Sequence, residues 1–450
     1  MATGVPFGYS DRVRLIPNLE LPTAASHGNE TVRPRWKRCG PAISEGIQML
    51  TVDQASAAIA GALSIAEPVA VPLHEAAGRV LRENLIADRD QPPFDRVAMD
   101  GIAIDHASFA AGTREFNVLG TQRAGDAPLT LAGTGGCLEV MTGAPLPRGC
   151  DTVIRYEDLE LAGGRARITG GAAVVGPHEN VHRKGSDHPA GTLLVCAGAR
   201  LGPPEIAVAA SVGKATLMVS PDPAIAIIST GDELVNPGDP VAGHQIRRSN
   251  GLAIAAALTL AGYRQSTQFH AHDNPESLEQ TLRTALDGYD VVILSGGVSM
   301  GKFDLVPGAL AALGIRAVFH KVAQRPGKPL WFGVRSDGKP VFALPGNPVA
   351  ATVCTLRYVI PALHLRAGGP PRKPVIVACT PAPRLPKGLT LFAPVRLQSE
   401  PDATLRAVPA AGNGSGDYGA LAGTDGFVEI PPDARNPGEL LVEFTPWVAP

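Results

Sequence analysis

The sequence predicts a multidomain protein of class α/β and β, with a doubly wound parallel α/β domain at its centre. Three observations predict this class. The chain has 450 residues, too many for one hydrophobic core, so we expect about three or four domains. Short apolar strands alternate with helical stretches between about 224 and 365, as in a parallel sheet covered by helices. On both sides of this region, short alternating segments rich in glycine and proline predict smaller β domains.

The first half of the chain begins with polar residues 1–42, which we predict to be a disordered extension. A helix from about 51 to 63 follows, with Thr51 or Asp53 as its N-cap. Residues 86–189 predict a β-rich domain. Its predicted strands are 115–119, 137–141 and 152–157.

The second half alternates between β and α, and then returns to β. The predicted strands of the α/β domain are 224–228, 265–270, 290–294, 317–321 and 341–344. The predicted helices are 250–261 with Ser249 as N-cap, 275–287, 305–313 and 348–365. After a Gly/Pro linker, strands at 375–379, 390–397 and 427–430 predict a C-terminal β domain.

Composition argues against several classes of protein. The 40 Lys and Arg residues nearly balance the 42 Asp and Glu residues, so no basic surface for nucleic acid or membrane is indicated. The six cysteines form no C-x-x-C pair, which argues against a zinc site or a disulfide scaffold. The sequence has no apolar signal core and no run of about 18 apolar residues. We therefore expect a cytoplasmic protein that binds neither nucleic acid nor membrane.

Four acids lie at or near the ends of predicted strands in the α/β region: Asp232, Glu233, Asp273 and Asp304. Carboxylate oxygens that converge from separate loops suit Mg²⁺, which usually keeps several waters and contacts phosphate oxygens. Any one of these acids could instead be a helix cap or an exposed loop charge. Four at one sheet edge favour a metal site.

Two glycine turns and a basic loop predict an anion site. Ser295-Gly296-Gly297 follows a buried-type strand, and Pro345-Gly346-Asn347 follows another; both precede a helix. Lys321, Arg325 and Lys328 crowd around a Pro-Gly turn and could neutralise a pyrophosphate or an oxyanion. Ordinary strand-to-helix connections and a solvated charged loop would produce the same pattern. The sequence contains no G-x-G-x-x-G, Walker A or G-x-S-x-G motif.

Eight motifs, taken in chain order, resemble those of one protein family. They are PPFDRVAMDGIAI at 92–104, EVMTGAPLPRGCDTVI at 139–154, ENVHRKGSDHPAGT at 179–192, IISTGDEL at 227–234, SNGLAIAAAL at 249–258, DVVILSGGVSMGKFD at 290–304, RPGKP at 325–329 and LPGNPVAA at 344–351. The set is similar to that of the molybdopterin molybdenumtransferases, the MoeA and gephyrin E-domain family. The resemblance extends from about residue 45 to residue 450.

The resemblance implies four regions. They are a linking domain built from 43–85 and 190–219, a β-rich inserted domain at 86–189, an α/β molybdopterin-binding domain at 220–368 and a C-terminal β-barrel-like domain at 373–450. It also implies an elongated homodimer. The active cleft would lie between the α/β domain of one subunit and the β-rich domain of the other.

The implied reaction inserts molybdenum from molybdate into adenylylated molybdopterin and releases AMP, with Mg²⁺ as cofactor. The implied protein partners are a second copy of the chain, a molybdopterin adenylyltransferase and recipient molybdoenzymes. Two alternatives stay open. One is a paralogue specific for tungstate or for a modified pterin, and the other is a scaffold that binds the pterin without turnover.

The resemblance also assigns roles to residues. The implied catalytic residues are Asp100 and Thr142, which would face the cleft of the partner subunit, and Glu233, Asp273 and Asp304. The last three are also the implied metal ligands. The implied substrate-binding residues are Arg183, Asp187, Ser295, Gly296, Gly297, Ser299, Lys321, Arg325, Lys328, Pro345, Gly346, Asn347 and Ser415.

Five positions depart from the usual family motifs. Arg96 and Val97 replace an Asn-Ser pair, and His182 replaces the first arginine of an arginine run. Arg248 stands in place of an acid, and Arg325 in place of a lysine. If both of the latter arginines reach the cleft, they would make it more positive and change which oxyanion it prefers.

Overall fold

The structure is a computed structural model. It describes residues 49–169, 175–298, 304–381, 383–402, 404–412, 414, 416–434 and 440–448. All of them fall within one compact unit, Ser44–Pro450, and the other unit, Met1–Ile43, lies wholly outside the described residues. The predicted extension at 1–42 and the predicted site residues Ser299 and Ser415 therefore also lie outside them.

The first described helix is Val52–Ala62, and Thr51 is its N-cap. The Thr51 hydroxyl accepts a hydrogen bond from the Gln54 N–H, and the Gln54 side chain accepts one from the Thr51 N–H. This reciprocal capping box satisfies two backbone donors that the helix leaves open. Of the two N-caps predicted, Thr51 is therefore the correct one.

Two small antiparallel sheets join distant parts of the chain. Val69–Pro72 pairs with Thr216–Val219, and Leu85–Ile86 pairs with Leu193–Val195. The helix Pro203–Ser211 belongs to the same region. Their shared hydrophobic core includes Leu81, Leu85, Leu201, Leu217 and Val219. The chain leaves this core near residue 86, returns to it near residue 193, and forms a separate sheet in between.

The intervening segment forms a six-stranded sheet, which we call the N-terminal sheet. Its strands, in spatial order, are Thr152–Arg155, Gly101–Ile104, Gly136–Val140, Glu115–Gln122, Arg165–Ile168 and Leu159–Ala162. Beside it lie the helix His106–Ala110 and a two-stranded pair, Arg96–Val97 with Val181–His182. The three strands predicted here are confirmed, while the hairpin of Leu159–Ala162 and Arg165–Ile168 was not predicted.

A second six-stranded sheet, the central sheet, carries the α/β domain. Its strands, in spatial order, are Ser266–Ala271, Ile225–Thr230, Val291–Ser295, Pro340–Leu344, Trp331–Val334 and Arg316–His320. The first four are parallel. Trp331–Val334 was not predicted, and it runs antiparallel to both of its neighbours.

Helices cover both faces of the central sheet. Alternate residues of the strand Val291–Ser295 face opposite ways: Val291 and Ile293 enter one hydrophobic cluster, and Val292 and Leu294 enter the other. The first cluster is covered by the helices Val52–Ala62, Asn250–Leu260 and Pro348–Arg366, and the second by Pro275–Gly288 and Val306–Ala312. Because helices cover both faces, the predicted doubly wound arrangement is confirmed. A sheet buried on both faces needs continuous apolar strands of this kind.

The helix Pro348–Arg366 contains one turn of π-helix, Thr355–Val359, between two α-helical parts, Pro348–Cys354 and Ile360–Arg366. Among the described residues it is the one helix long and apolar enough to cross a membrane. However, 67% of its most apolar stretch is buried inside the protein. A core helix of a folded domain can be equally long and apolar, and this one is buried in the same way.

The C-terminal region is a closed five-stranded barrel. Around the barrel its strands are Thr390–Ser399, Leu405–Pro409, Val375–Cys379, Leu440–Pro446 and Gly426–Ile430, and the last pairs back with the first. A short strand, Gln324–Arg325, adds to Thr390–Ser399 from the α/β side. The predicted barrel-like C-terminal domain is therefore confirmed.

Candidate active site

A cavity of about 470 Å³ opens at the carboxyl ends of three parallel strands in the central sheet. Thr230 and Ser295 end two of these strands, and Pro345 directly follows the third. All three residues line the cavity. Open α/β sheets bind their ligands at this edge, and the volume lies in the range of small-molecule and cofactor sites.

The two glycine turns lie against each other in the wall of this cavity. Gly296 and Gly297 have φ angles of +105° and +66°, a conformation that side chains rarely adopt. A Cβ on Gly296 would also come within 2.9 Å of the Thr230 carbonyl oxygen. A Cβ on Gly346 would lie 3.4 Å from the Gly296 Cα, so the second turn packs directly on the first. All six predicted substrate-binding residues of the two turns line the cavity.

Two polar atoms at this cavity are buried without a hydrogen-bond partner. They are the Thr230 hydroxyl and the Asn347 side-chain carbonyl oxygen. The Thr230 side chain is well enclosed, since the residue is only 8% exposed. A buried polar group without a partner costs free energy, so both atoms suit a ligand that supplies the missing hydrogen bonds.

Three of the four predicted acids line the cavity: Glu233, Asp273 and Asp304. Burial, together with the charges of Asp232 and Glu233, raises the pKa of Asp273. Asp232 itself contacts His272, with 2.9 Å between Oδ1 and Nδ1, and does not line the cavity. Within the described ranges, no three acidic, histidine or cysteine side chains are close enough to hold a metal ion.

Residues near 250 form part of the cavity that the motifs did not assign. Asn250 donates hydrogen bonds to the Ser295 hydroxyl and to the Gly346 carbonyl, at 2.9 and 2.8 Å. Ser249 is the N-cap residue of this helix, as predicted, although its side chain makes no capping hydrogen bond. The SNG motif at 249–251 could have drawn attention to Asn250, but nothing in the motif specifies contacts with residues so far away in sequence.

Comparison with known proteins matches three successive parts of the chain to family models. Residues 50–213 match the MoeA N-terminal region (domain I and II), 226–365 a probable molybdopterin binding domain, and 381–447 the MoeA C-terminal region (domain IV). The chain belongs to the molybdopterin molybdenumtransferase (MoeA) family. The family and the class predicted from the motifs, a transferase of molybdenum cofactor biosynthesis, are both confirmed.

Individual relatives agree with this assignment. A molybdopterin molybdenumtransferase of Synechocystis sp. is 40% identical over 79% of this chain and 88% of its own length. Molybdopterin molybdenumtransferase 2 of Mycobacterium tuberculosis is 32% identical over 86% of this chain and 96% of its own length. A crystal structure of a molybdopterin biosynthesis MoeA protein from Pyrococcus horikosii is 31% identical, with a TM-score of 0.74. It covers 89% of this chain and 99% of its own.

The three cations implied by the MoeA motifs do not line the cavity. Only Pro329 of the RPGKP loop does so. Arg325 lies in the short strand that pairs with the C-terminal barrel, and Lys321 bonds through its backbone to Leu330 and Leu50. The motifs that place the acids at the cavity therefore do not also place Lys321, Arg325 and Lys328 there.

The MoeA departure Arg248 does line the cavity, together with Arg247. Its guanidinium donates a hydrogen bond to the Asn236 side chain. Its backbone N–H donates to Val235, just beyond the parallel pair Leu234–Val235 and Ile246–Arg247. Arg248 thus reaches the cavity, and Arg325 does not.

The remaining predicted site residues that the structure describes lie in the N-terminal sheet region, away from the lining of the cavity. Asp100 Oδ1 accepts hydrogen bonds from both the backbone N–H and the hydroxyl of Thr142, at 2.6 and 2.7 Å. These bonds lower the pKa of Asp100. Asp187 accepts a hydrogen bond from His182, and Arg183 is its near neighbour in sequence. The structure thus brings Asp100 and Thr142 together without placing them at the cavity of the same chain.

Proposed function

We propose that the cavity binds adenylylated molybdopterin and molybdate, and that the protein inserts molybdenum into the pterin dithiolene with release of AMP. The observation that carries this proposal is the convergence of two glycine turns and three carboxylates on one cavity of about 470 Å³. Such a site offers backbone donors to a phosphate and hard oxygen atoms to a cation. A pyrophosphate bond that must be cleaved needs both.

The glycine turns are our candidates for the anionic part of the substrate. Because Gly296, Gly297 and Gly346 carry no side chain, backbone N–H groups can approach a phosphate oxygen closely. The partnerless Thr230 hydroxyl could donate to the same oxygen, and the partnerless Asn347 oxygen could accept from an N–H of the ligand. A hydrogen bond from the ligand would offset the free-energy penalty that each group carries while it is buried without a partner.

The donor set at the cavity fits Mg²⁺. Glu233, Asp273 and Asp304 supply carboxylate oxygens, the ligands that Mg²⁺ prefers. They do not form a closed protein site within the described residues, which is also usual for Mg²⁺, since it takes one or two carboxylates plus water and phosphate oxygens. When bound there, Mg²⁺ would neutralise developing charge on the phosphate oxygens.

Asp273 is our candidate for proton transfer. Its carboxyl keeps its proton to a higher pH than an ordinary aspartate, because it is partly buried beside Asp232 and Glu233. An acid tuned in this way can take a proton from an attacking water or supply one to a leaving oxygen. Glu233 and Asp304 would then position the metal and the substrate.

The finer assignments are also proposals. Asp100 and Thr142 would act from a second copy of the chain in a homodimer, because the described residues that line the cavity all fall between 229 and 348. The five free cysteines among the described residues, including exposed Cys196, suit a reducing cytoplasm. Molybdopterin adenylyltransferase as donor and molybdoenzymes as recipients follow from the proposed reaction.

The test is AMP release by the purified protein from adenylylated molybdopterin, with molybdate and Mg²⁺ present. We expect AMP to appear together with a molybdenum-bound pterin, and to stop when a chelator removes the metal. Replacing molybdate by tungstate tests the tungstate paralogue. If the protein binds adenylylated molybdopterin but releases no AMP with Mg²⁺ and either oxyanion present, the result would favour the scaffold and overturn the proposal.

A further inference from the structure

Asn250 is the first residue of the helix Asn250–Leu260, and its amide joins both glycine turns of the cavity. Its Nδ2 lies 2.9 Å from the Ser295 hydroxyl oxygen and 2.8 Å from the Gly346 carbonyl oxygen. The Ser295 hydroxyl lies 3.4 Å from the Pro345 carbonyl and can donate to it. One amide group therefore joins the end of the strand Val291–Ser295 to Gly346, in the turn that follows the neighbouring strand Pro340–Leu344.

The other side of the same amide contacts the C-terminal barrel. The hydroxyl of Tyr418, in the loop between Leu405–Pro409 and Gly426–Ile430, lies 3.3 Å from Asn250 Oδ1 and donates to it. Since a carbonyl can only accept and Nδ2 can only donate, the Gly346 carbonyl fixes which end of the amide faces the turns, and the Tyr418 hydroxyl then holds the free Oδ1 end in place.

We propose that Asn250 is a positioning residue that sets the spacing of the two glycine turns, and that Tyr418 of the C-terminal barrel orients it. The inference rests on the proposed function only in taking the turns as the substrate's seat. If the amide rotated by half a turn, its oxygen would face the Gly346 carbonyl oxygen, and two acceptors would repel each other. The barrel thereby influences a cavity to which it contributes no lining residue among those described.

The tests use Asn250→Ala, Asn250→Asp and Tyr418→Phe in the full chain. Asn250→Asp keeps the shape but removes both donors, so it should behave as the alanine variant does. Hydrogen exchange should become about tenfold faster in peptides covering 291–298 and 340–347 in all three variants. The KM for adenylylated molybdopterin should rise about tenfold, with kcat changed less than about threefold.

Two control variants match these changes. Thr259→Ala alters the far end of the same helix, where the hydroxyl bonds only to Ala255 within the helix. Tyr289→Phe removes a tyrosine hydroxyl next to Phe269, outside the cavity lining. Both should leave the exchange of the two turns and the KM unchanged.

The exchange measurement separates this inference from the proposed function. If the unmodified protein releases no AMP, the proposed function is wrong, and the exchange rates still decide whether Asn250 and Tyr418 hold the turns. If Tyr418→Phe leaves both turns as protected as in the unmodified protein, the barrel does not orient Asn250 and the inference is overturned. Unchanged exchange in Asn250→Asp would overturn it as well.

Discussion

The Arg96 guanidinium and the His182 imidazole are hydrogen-bonded across a short antiparallel pair, with 3.0 Å between Arg96 Nη2 and His182 Nδ1. Arginine can only donate, so Nδ1 accepts and the ring's proton is on Nε2. Nε2 in turn donates to Asp187 Oδ1 at 2.8 Å. Both Arg96 and His182 depart from the usual family motifs. Their contact links the two departures directly, and His182 connects them to Asp187.

A reciprocal exchange tests whether these two positions depend on each other. His182→Arg alone would place a second guanidinium directly opposite Arg96 and should destabilise the fold by about 0.5–1 kcal/mol. Adding Arg96→Asn removes the repulsion, so the double variant should recover most of that loss. Denaturant midpoints of the two single variants and the double variant measure the coupling. Strictly additive changes would mean that the two side chains do not interact in solution.

Substitution of the cavity acids should affect the reaction and leave folding nearly unchanged. Glu233→Gln and Asp304→Asn keep size and polarity at residues that line the cavity. Loss of a charge that assists phosphate cleavage should lower the rate of AMP release about 10²-fold or more. Melting temperatures should stay close to that of the unmodified protein. AMP release at the unmodified rate in both variants would remove these acids from the mechanism.

The ionised carboxylate of Asp273 should lower the stability of the fold at neutral pH. Burial and the nearby carboxylates raise its pKa, so the folded protein binds this proton more tightly than the unfolded chain does. The fold therefore loses stability as pH rises through the pKa, and the loss persists at neutral pH. Asp273→Asn cannot ionise and should melt about 1–2 °C higher near neutral pH. Thermal scans should show this advantage shrinking as pH falls toward about 4, the unfolded value. A variant that melts lower at neutral pH would contradict the prediction.

The central sheet could be predicted from sequence because its strands bury both faces. Val291 to Leu294 form an unbroken apolar run, and its alternate side chains enter opposite hydrophobic clusters. Trp331–Val334 escaped prediction, although all four of its residues are buried. It contains Gly333 and begins two residues after the last proline of the RPGKP loop, and both features weaken a strand signal. Its antiparallel direction follows from a short connection, residues 335–339, to the next strand, Pro340–Leu344, and the Asp337-Gly338 turn there was the local signal available for this hairpin.

The candidate site was only partly predictable for the same physical reason. The glycine turns directly follow strands, and Glu233 and Asp273 lie within three residues of strand ends, so parallel packing brings them to one edge. Asn250 contacts residues 45, 96 and 168 positions away, and no local pattern specifies such contacts. Conversely, Lys321 and Lys328 were expected at the cavity because of nearby motifs, but the loop that carries them places only Pro329 in its wall.

Arg248 should tune oxyanion binding, whereas Arg325 should not do so through this cavity. Of these two arginines, Arg248 lines the cavity and Arg325 does not. Arg248→Asp should therefore weaken binding of molybdate, a dianion, and reduce its salt dependence. The matched control, Arg325→Lys, should bind like the unmodified protein. Titration of molybdate at low and high ionic strength measures both effects. Equal salt slopes in the unmodified protein and Arg248→Asp would show that the guanidinium, which bonds to Asn236, stays away from the anion.

Complementation between inactive subunits tests the proposed homodimer. Asp100 is held by Thr142 in the N-terminal sheet region, and neither residue lines the cavity that contains Asp304. If each working site combines Asp304 of one chain with Asp100 of a second, neither Asp100→Ala nor Asp304→Ala alone is active. A mixed dimer of the two variants would still contain one intact site and one doubly altered site.

Random exchange of equal amounts makes half of the dimers mixed, so about a quarter of the unmodified activity should return. Light scattering establishes the dimer beforehand, and unfolding and refolding the two variants together allows the exchange. Asp304→Ala mixed with Glu233→Gln is the matched control, because both changes fall in the same half of the site and the mixture should stay inactive. No recovery in the first mixture, with mixed dimers demonstrated by differential tags, would place Asp100 and Asp304 in one chain's site or remove Asp100 from the reaction.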